Sequence, residues 1–381
     1  MRKVNVMFLM PVMGMGGSER LVHSLVQMLD RERFNPSVAW LCGKQPLEEF
    51  KKLNVPLFDL PKKRRIDLGL MRRLADVIDR EGIDVVRAQH FMPAVYAFYG
   101  CNWVAKRALI FTAHSRWEIE DTPLKWRIAG GFLLRRMAAA VGVAPEVSEA
   151  IRKIFRTSKQ KTVTIENGVD TEMFAGEGHG ESLRSELGLA EDELVIGTVG
   201  NLKEVKNQKF LLKAFAGIAH QYAKTKLLIV GRGFAGERDN VEQQLRSFVM
   251  EKGLSGRVVF AGYRTDVANL LGVMDVFCLT SVREGLPISL IEAMAARLPV
   301  VGTNVQGVRE IVAPDKDGLL VELDNVAALR NALERLINEP HTRQRYGMAG
   351  REKVVNRYSL LRCVQAYEQL FLAVTDQGGG N

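Results

Sequence analysis

Short apolar runs alternate with longer amphipathic stretches along almost the whole chain. The runs are continuously apolar, which is typical of parallel strands whose two faces are both covered by helices. Those of the first half lie at residues 4–12, 37–42, 84–89, 108–114, 140–144 and 161–166. Those of the second half lie at residues 194–199, 226–230, 257–262, 276–280, 299–303 and 318–321. The pattern predicts six parallel strands in each half and therefore two doubly wound, Rossmann-like α/β domains.

The boundary between the predicted domains lies close to residue 170. Asn-Gly-Val-Asp at 167–170 is a turn signal, and the most glycine-dense stretch before the tail follows at 175–180. We expect residues 1–170 to form the first domain and residues 171–358 the second. A helical pattern at 359–376 is expected to pack back onto the first domain. Because ligands of such sheets bind beyond the carboxyl ends of the strands, the expected site is a cleft between the domains.

Composition and cysteine usage narrow the class of protein. The chain has 381 residues, of which 47% are hydrophobic and 25% charged, enough for two globular cores. The four cysteines are far apart and form no C-x-x-C pair, so zinc and redox motifs are not indicated. Three of them are expected to be buried small hydrophobes, which suits the reducing cytoplasm. The apolar run after Arg2 and Lys3 lacks a signal-peptide cleavage site, and no run reaches about 18 apolar residues, the length of a membrane span.

The net charge of +9 is concentrated in the first half of the chain. Residues 1–170 contain 28 Lys and Arg against 18 Asp and Glu, whereas the remainder is close to neutral. Basic clusters lie at 62–65 and at 125–136, and in the second cluster apolar and aromatic residues are mixed in. We expect the first domain to dock on the anionic inner face of the cytoplasmic membrane. The alternative for residues 128–137 is that their apolar side packs on the sheet. No nucleic-acid module is visible, so nucleic acid is not an expected partner.

Glycines follow the first strand in the segment Gly-Met-Gly-Gly-Ser-Glu at 14–19. Such glycines let backbone N–H groups approach an anion at the start of a helix, and Gly16 and Gly17 are candidates for this contact. The alternative is an ordinary tight turn between strand and helix. No acidic residue ends the second strand, where Cys42 is followed by Gly43 and Lys44, so NAD binding is disfavoured.

The second domain opens with Val-Gly-Asn-Leu-Lys-Glu-Val-Lys-Asn at 199–207. A strand ends in glycine here, and Lys203 and Lys206 precede a helix, where they are placed to meet a phosphate as point charges. The alternative is a pair of solvated lysines, which is the commoner fate of this residue.

The most specific signal follows the strand predicted at 276–280. Residues 283–296 read Arg-Glu-Gly-Leu-Pro-Ile-Ser-Leu-Ile-Glu-Ala-Met-Ala-Ala, and Pro287 suits the first turn of a helix. Glu284 then lies in the preceding loop, and Glu292 lies about two turns into the helix. Because a carboxylate accepts hydrogen bonds from two neighbouring hydroxyls, these two acids predict a site for a sugar or a ribose.

With this element, the chain resembles the retaining GT-B glycosyltransferases of glycosyltransferase family 4, within glycosyltransferase group 1. The resemblance covers about residues 4–358. It rests on the E-x7-E pair Glu284 and Glu292, the double glycine, His114 in Thr-Ala-His-Ser, the segments 167–170 and 199–207, and Gly-Val-Arg-Glu-Ile-Val at 307–312. It implies two Rossmann-like domains that face each other across a cleft.

The activity implied by the resemblance is transfer of a sugar from a nucleotide-diphosphate-sugar to a glycan or glycolipid acceptor. Lipopolysaccharide, capsule or another cell-envelope polysaccharide is the implied product, and UDP is the default nucleotide by its frequency in the family. The second domain then binds the donor, and the first lies on the acceptor side.

Carried over residue by residue, the resemblance implies donor-binding roles in the second domain. Glu292 binds the nucleotide ribose. Glu284 and the backbone of Gly285 and Leu286 hold the hydroxyls of the donor sugar, and Lys206 faces the diphosphate.

The resemblance also implies roles in the first domain. Gly16 and Gly17 approach the phosphate or the sugar of the donor across the cleft, and His114 lies beside the transferred sugar. The alternative for His114 is a structural histidine whose hydrogen bonds are satisfied within the protein. The implied catalytic set is His114, Glu284 and Lys206.

Two departures from the family pattern concern the donor. Asn201 stands where the family usually has an arginine that pairs with the diphosphate, and Lys203, Lys206 or Arg232 is expected to replace that charge. The common Glu-Gly-Phe-Gly segment is Glu-Gly-Leu-Pro here, and Pro287 has no N–H to donate to the sugar.

The resemblance further implies retention of anomeric configuration without a metal or other cofactor, and the chain has no Asp-x-Asp element. In the expected front-face reaction, the leaving diphosphate oxygen accepts the proton of the acceptor. Two alternatives stay open: a nucleotide-sugar epimerase of the same fold, and a basic protein that binds a polyanion.

Overall fold

The computed structural model describes residues 2–14, 16–42, 47–64, 66–103, 107–175, 180–233 and 239–376. Several predicted features therefore lie partly outside the described residues: Met15 of the glycine loop, Gly43 and Lys44 after the second strand, Arg65 of the basic cluster, residues 176–179 of the glycine-dense segment, and the tail at 377–381.

The chain forms two compact units. The first unit comprises Met1–Gly168 together with Leu360–Asn381, and the second comprises Val169–Ser359. Each unit contains a single sheet in which every described strand pairs in parallel with its neighbours. The predicted fold class, two doubly wound parallel-sheet domains, is confirmed.

The sheet of the first unit has seven strands in the order β3-β2-β1-β4-β5-β6-β7. Its strands are β1 (Val4–Val12), β2 (Phe34–Cys42), β3 (Leu57–Asp59), β4 (Val85–Gln89), β5 (Ala108–Ala113), β6 (Ala139–Gly142) and β7 (Thr162–Thr164). Its helices are α1 (Gly17–Met28), α2 (Glu48–Lys51), α3 (Leu68–Arg80), α4 (Phe91–Trp103), α5 (Arg116–Glu120), α6 (Leu124–Arg136), α7 (Pro145–Phe155) and the last helix of the chain, α16 (Leu360–Asp376).

The sheet of the second unit has six strands in the order β10-β9-β8-β11-β12-β13. Its strands are β8 (Leu194–Val199), β9 (Thr225–Val230), β10 (Val258–Gly262), β11 (Val276–Leu279), β12 (Val300–Thr303) and β13 (Gly318–Val321). Its helices are α8 (Gly180–Glu186), α9 (Gln208–Gln221), α10 (Glu242–Glu251), α11 (Val267–Gly272), α12 (Ile288–Ala295), α13 (Gln306–Arg309), α14 (Val326–Asn338) and α15 (Pro340–Arg357). A turn of 3₁₀ helix, Glu204–Lys206, precedes α9.

The prediction of six strands in the first unit was wrong, because β3 lies in a short apolar stretch that is bounded by Pro56 and Pro61 and interrupted by Asp59. It is a three-residue strand that pairs only with β2, and its residues are exposed or half-buried. A short edge strand does not need a continuous apolar run, since one of its sides has no neighbouring strand. The other predicted strands are present, with ends that shift by a few residues.

The cysteine prediction is confirmed: Cys101, Cys278 and Cys363 are buried, and Cys42 is exposed. Burial raises the pKa of the Cys101 thiol to about 12 and that of Cys363 to about 11. These thiols are therefore protonated at neutral pH and behave as small apolar side chains. Among the helices that the structure describes, none is long and apolar enough to cross a membrane.

Strand order reverses between β1 and β4 in the first unit and between β8 and β11 in the second. Such reversals are where the loops at the carboxyl edge of a parallel sheet diverge and leave a crevice. Gly16 and Gly17 follow β1, and His114 is the first residue after β5 rather than the last of the strand. Lys206 and Glu284 lie in the loops after β8 and β11.

Helix α16 completes the core of the first unit. Phe371 is fully buried, and its ring packs edge-on against Phe8 of β1 and Phe34 of β2, with centroid distances of 6.0 Å to each. One turn earlier, the Tyr367 hydroxyl accepts a hydrogen bond of 2.8 Å from the buried Arg87 of β4. The helix that ends the chain is therefore part of the fold of the first unit.

We expect Phe371→Ala to destabilise the first unit by about 3–5 kcal/mol, because it leaves a cavity between α16 and the sheet. Leu361→Ala on the same helix should change stability by no more than about 0.5 kcal/mol, since Leu361 is 54% exposed. All four tryptophans, at positions 40, 103, 117 and 126, belong to the first unit. Tryptophan fluorescence during urea unfolding therefore reports this unit. Equal unfolding midpoints for the two variants would contradict the role of α16.

Candidate functional site

The loops after β8 and β11 are tied together in the second unit. The Val282 N–H donates to the Val205 carbonyl at 2.8 Å. The Thr280 hydroxyl contacts the carbonyl oxygens of Lys206 and Asn207 at 3.2 and 3.0 Å. These bonds fix the turn that carries Lys206 against the loop that carries Glu284. Sequence reasoning did not single out Thr280, although a buried hydroxyl at the end of an apolar strand needs a partner.

Lys206 and Glu284, both predicted site residues, form an ion pair. Lys206 Nζ lies 2.6 Å from Glu284 Oε1, and the Ser281 hydroxyl donates to the same oxygen at 2.5 Å. The Glu284 side chain is 10% exposed and that of Lys206 is 25% exposed. A partly buried carboxylate with a lysine and a hydroxyl beside it is held in one orientation, which suits it to accept bonds from substrate hydroxyls.

The backbone after Glu284 is pressed against the start of α13. A Cβ atom at Gly307 would lie 2.0 Å from the Gly285 carbonyl oxygen and 2.6 Å from that of Glu284. Only glycine allows this approach, which explains the glycine that opens the segment at 307–312. Gly285 and Leu286 are buried beneath this contact. Pro287 lies one residue before α12 and not in its first turn as predicted.

Glu292 lies in the second turn of α12 and is 7% exposed. The predicted arrangement, one acid in the loop and the other on the helix, is present. An acidic side chain is seldom buried this deeply unless it has a partner.

The remaining candidates of the second unit lie in the loops after β8 and β9. The Asn201 carbonyl accepts a bond of 3.0 Å from the Gln208 side chain, and Lys203 Nζ lies 3.8 Å from an Asp239 oxygen. The Arg232 guanidinium lies 5.0 Å from the centre of the Tyr263 ring. Lys206 is the candidate cation whose ion pair with Glu284 was described above.

Gly231 allows the loops after β8 and β9 to touch. Its φ of +134° lies outside the range of ordinary residues, and a Cβ atom there would be 2.0 Å from the Gly200 carbonyl oxygen. The Leu202 N–H donates to the Arg232 carbonyl at 3.1 Å.

In the first unit, Gly16 precedes the first residue of α1, and Gly17 is that residue. Glu19, which is buried in the first turn, lies so close that a Cβ atom at Gly16 would be 2.6 Å from its Oε2. A carboxylate here interacts favourably with the positive end of the helix dipole. The helix start is therefore already occupied by a negative charge of the protein itself.

His114 is held by the first turn of α5. The Ser115 hydroxyl accepts from the Glu118 N–H at 3.3 Å, which is the first half of a capping box. The Glu118 carboxylate reaches back to the His114 N–H, where Oε2 accepts at 3.1 Å. The Nε2 atom of His114 is buried and has no hydrogen-bond partner among the described residues.

His90, which sequence reasoning missed, lies beside His114. It follows β4, its Nδ1 lies 3.0 Å from Glu118 Oε1, and its ring centre is 4.8 Å from that of His114. The only sequence signal for this residue is a pair of polar residues at the end of a buried strand, Gln89 as its last residue and His90 directly after it.

The two histidines have opposite electrostatic environments. Burial, then the charges of His90 and Arg87, lower the pKa of His114 well below its usual range, so its imidazole is neutral at physiological pH. For His90, burial acts to lower the pKa, but the hydrogen bond and charge of Glu118, with the charge of Glu19, outweigh it. The pKa of His90 is therefore raised, which favours its cationic form. Across the part of the chain that the structure describes, no three His, Cys, Asp or Glu side chains are grouped so that they could hold a metal ion.

Two family models match the chain. The one described as Glycosyltransferase Family 4 matches residues 15–173, and the one described as Glycosyl transferases group 1 matches residues 180–353. The N-acetyl-alpha-D-glucosaminyl L-malate synthase of Bacillus anthracis is 25% identical over 85% of this chain and 84% of its own. The UDP-Gal:alpha-D-GlcNAc-diphosphoundecaprenol alpha-1,3-galactosyltransferase of Escherichia coli is 24% identical over 96% of this chain and 95% of its own.

The fold is shared with solved structures. That of Anabaena HepE in complex with UDP and glucose has a TM-score of 0.84 at 20% identity, over 96% of this chain and 98% of HepE. With one model matching each half and this agreement in fold, the chain belongs to the GT-B glycosyltransferases of group 1 and family 4.

Proposed function

We propose that this glycosyltransferase moves a sugar from a nucleotide-diphosphate-sugar, with UDP as the default nucleotide, to a glycan or glycolipid acceptor. The transfer retains the anomeric configuration and needs no metal ion. The observation that carries the proposal is the Lys206–Glu284 pair, 2.6 Å apart, at the carboxyl edge of the second sheet. It combines a cation for phosphate with a carboxylate for sugar hydroxyls in one place.

Relatives support the donor and the product class. HepE was solved with UDP and glucose, and the Escherichia coli relative uses UDP-Gal and a diphosphoundecaprenol-linked acceptor. A cell-envelope polysaccharide, such as lipopolysaccharide or capsule, is the proposed product. The Bacillus anthracis relative makes an L-malate glycoside. Acceptor class is therefore best tested with both sugars and small hydroxy acids.

The second unit is the proposed donor-binding unit. Glu292 binds the ribose, and Glu284 with the backbone of Gly285 and Leu286 holds the sugar hydroxyls. Lys206 carries three N–H donors, so it can serve the diphosphate while it keeps its contact with Glu284.

The charge at the diphosphate has further proposed contributors. Lys203 and Arg232 add positive charge around Asn201, which replaces the usual arginine. Lys206 is the proposed principal replacement, because its Nζ lies 2.6 Å from the carboxylate of Glu284.

In the first unit, His114 is the proposed catalytic histidine, beside the transferred sugar. A neutral imidazole donates one hydrogen bond and accepts another, which suits contact with a hydroxyl. Gly16 and Gly17 are proposed to contact sugar hydroxyls rather than phosphate. The reason is that the Glu19 carboxylate lies beside Gly16 and would repel a phosphate.

In the proposed reaction, the bond from the anomeric carbon to the diphosphate breaks while the acceptor oxygen adds from the same face. The leaving diphosphate oxygen takes the proton of the acceptor hydroxyl. The protein contributes orientation and stabilises the charge that develops on the leaving group, chiefly through Lys206.

We also propose that the first unit docks on an anionic membrane surface through helix α6. Leu124, Ile128 and Phe132 recur every four residues and are 72, 70 and 49% exposed. On the opposite side, Leu133 and Leu134 are buried. The alternative that the apolar side of residues 128–137 packs on the sheet does not hold for Ile128 and Phe132.

Charge supports this membrane proposal. Lys125, Arg135 and Arg136 are exposed on the same helix. Ile66 and Leu68, beside the basic residues 62–64, are 67 and 71% exposed. Exposed apolar side chains flanked by cations are typical of helices that lie in the interface of a bilayer.

A thermal-shift screen against UDP-, GDP- and ADP-sugars tests the donor. We expect a UDP-sugar to raise the Tm, since a ligand at 100 times its Kd stabilises the native state by about 2.7 kcal/mol. Transfer should continue in EDTA, and an α-linked donor should yield an α-linked product by NMR. Absence of any shift, inhibition by EDTA, or inversion would each contradict a part of the proposal.

Substitutions separate the donor-binding roles. We expect Glu292→Ala to weaken nucleotide binding, and Glu284→Ala chiefly to lower kcat. Lys206→Ala should cost about 1.5 kcal/mol of transition-state stabilisation, the scale of one charge-assisted hydrogen bond, and hence about tenfold in kcat/KM. Lys224→Ala removes an exposed lysine of the same unit, paired with Asp192, and should have no effect. Unchanged kinetics in the three site variants would remove these residues from the site.

Co-sedimentation with vesicles tests membrane docking. We expect the protein to pellet with anionic phosphatidylglycerol vesicles at low salt, to be released as salt rises, and to ignore phosphatidylcholine vesicles, because each basic residue contributes about 1 kcal/mol. Leu124→Gln/Ile128→Gln/Phe132→Gln should weaken binding at least about tenfold, since these side chains lose burial in the bilayer.

The matched control for that variant lies in the second unit. Met250→Gln/Met348→Gln/Val355→Gln removes side chains that are 71, 61 and 42% exposed. This triple variant should bind vesicles as the wild type does. Equal loss in both triple variants would mean that α6 is not the docking surface.

A further inference from the structure

His90 adopts a backbone conformation that few residues other than glycine tolerate. Its φ is +64°, in the left-handed region. The conformation is fixed on both sides, because the His90 N–H donates to the Thr112 carbonyl at 2.9 Å and its own carbonyl accepts from Ala94 at 3.3 Å. A residue other than glycine is strained in this region and persists there where the surroundings require it.

This conformation places the His90 ring against His114 and Glu118. The ring centres of the two histidines are 4.8 Å apart, with 36° between their planes. One Glu118 oxygen lies 3.0 Å from His90 Nδ1, and the other accepts the backbone N–H of His114 at 3.1 Å. A single carboxylate therefore joins the ring of one histidine to the backbone of the other.

We infer that His90 is a positioning residue, which together with Glu118 holds the His114 imidazole in place for the transferred sugar. The inference rests on the proposed function of His114. Neither the motifs of the chain nor the role assigned to His114 includes His90 or Glu118. Without this support His114 would keep its place after β5, but its ring would lose the neighbour that fixes its orientation.

The charges around the pair give the arrangement an electrostatic consequence. Facing His90 are Glu118 from α5, Glu19 from α1 and Arg87 from β4, and the two acids together outweigh the burial and the arginine. The positive charge of His90 disfavours protonation of the neutral His114 ring. Burial and the charge of Arg87 disfavour it as well. His114 therefore stays neutral down to a lower pH than an ordinary histidine, and over that range it keeps an unprotonated nitrogen for the sugar.

His90→Asn tests the inference, because asparagine tolerates the left-handed region but lacks the imidazole. We expect a loss of about tenfold or more in kcat, with the donor KM changed by less than about twofold, since misplacement of a catalytic group acts on the transition state. The acid limb of the kcat/KM profile should move to higher pH, because His114 loses the repulsion of the His90 charge and is protonated more readily.

Controls separate positioning from loss of structure. His220→Asn, on the exposed last turn of α9, should leave kcat and the acid limb unchanged. If His90→Asn does not fold, His90→Gly keeps the backbone conformation and takes its place. Wild-type kinetics and an unmoved acid limb in the folded variant would overturn the inference.

A measurement without substrate distinguishes this inference from the proposed function. The chain has six histidines, so their ring protons can be followed by NMR titration and assigned by substitution. The His114 signal should titrate at higher pH in His90→Asn than in the wild type, and an unchanged midpoint would refute the coupling. Full activity of His114→Ala would instead refute the catalytic role of His114 and leave the coupling of the two histidines intact.

Discussion

In each unit every described strand runs parallel to its neighbours, so each connection leaves the carboxyl edge of the sheet, crosses one face and reaches the amino edge, where the next strand begins. The loops that follow the strands therefore all lie at the carboxyl edge of the sheet. Where the strand order reverses, these loops diverge and their polar groups are left without sheet partners. Gly16, Lys206 and Glu284 belong to loops at these reversals, and His114 follows β5, the strand next to the reversal in the first unit. Parallel pairing, which is stabilised by burial of both faces, thus decides where chemistry can occur in this protein.

Within each crevice, one carboxylate organises the residues around it. In the second unit, Glu284 receives both Lys206 from the loop after β8 and the Ser281 hydroxyl. In the first, Glu118 receives the backbone of His114 and the ring of His90. Burial of a carboxylate costs free energy unless hydrogen-bond donors surround it. The carboxylate and its donors therefore hold one another in fixed positions. These contacts of Glu284 and Glu118 hold the loops in an arrangement suited to a substrate.

Much of the fold follows from local chemistry, and the exceptions have identifiable causes. Twelve apolar runs predicted twelve strands, because a strand buried on both faces has to be apolar throughout. β3 was not predicted because it is a three-residue edge strand whose residues are exposed or half-buried. For α6 the sequence left open whether the apolar side chains are exposed or packed on the sheet. Gly130 and Gly131 lie directly against Phe155, so the helix packs closely on one side while Leu124, Ile128 and Phe132 remain exposed on the other.

The candidate site likewise combines residues that the sequence predicted with contacts that it did not. The spacing of Glu284 and Glu292, the glycines at 16 and 17 and the lone His114 after a strand are contiguous patterns, so the sequence by itself determined the family and these candidate residues. The contacts of Lys206 with Glu284, 78 residues apart, and of His90 with Glu118 join loops that are distant along the chain. A histidine in the left-handed region, or a glycine at 307 that admits a carbonyl oxygen, has no local signature. Only the tertiary structure decided these, because they depend on which strand ends lie side by side, and that is set by the packing of the whole sheet.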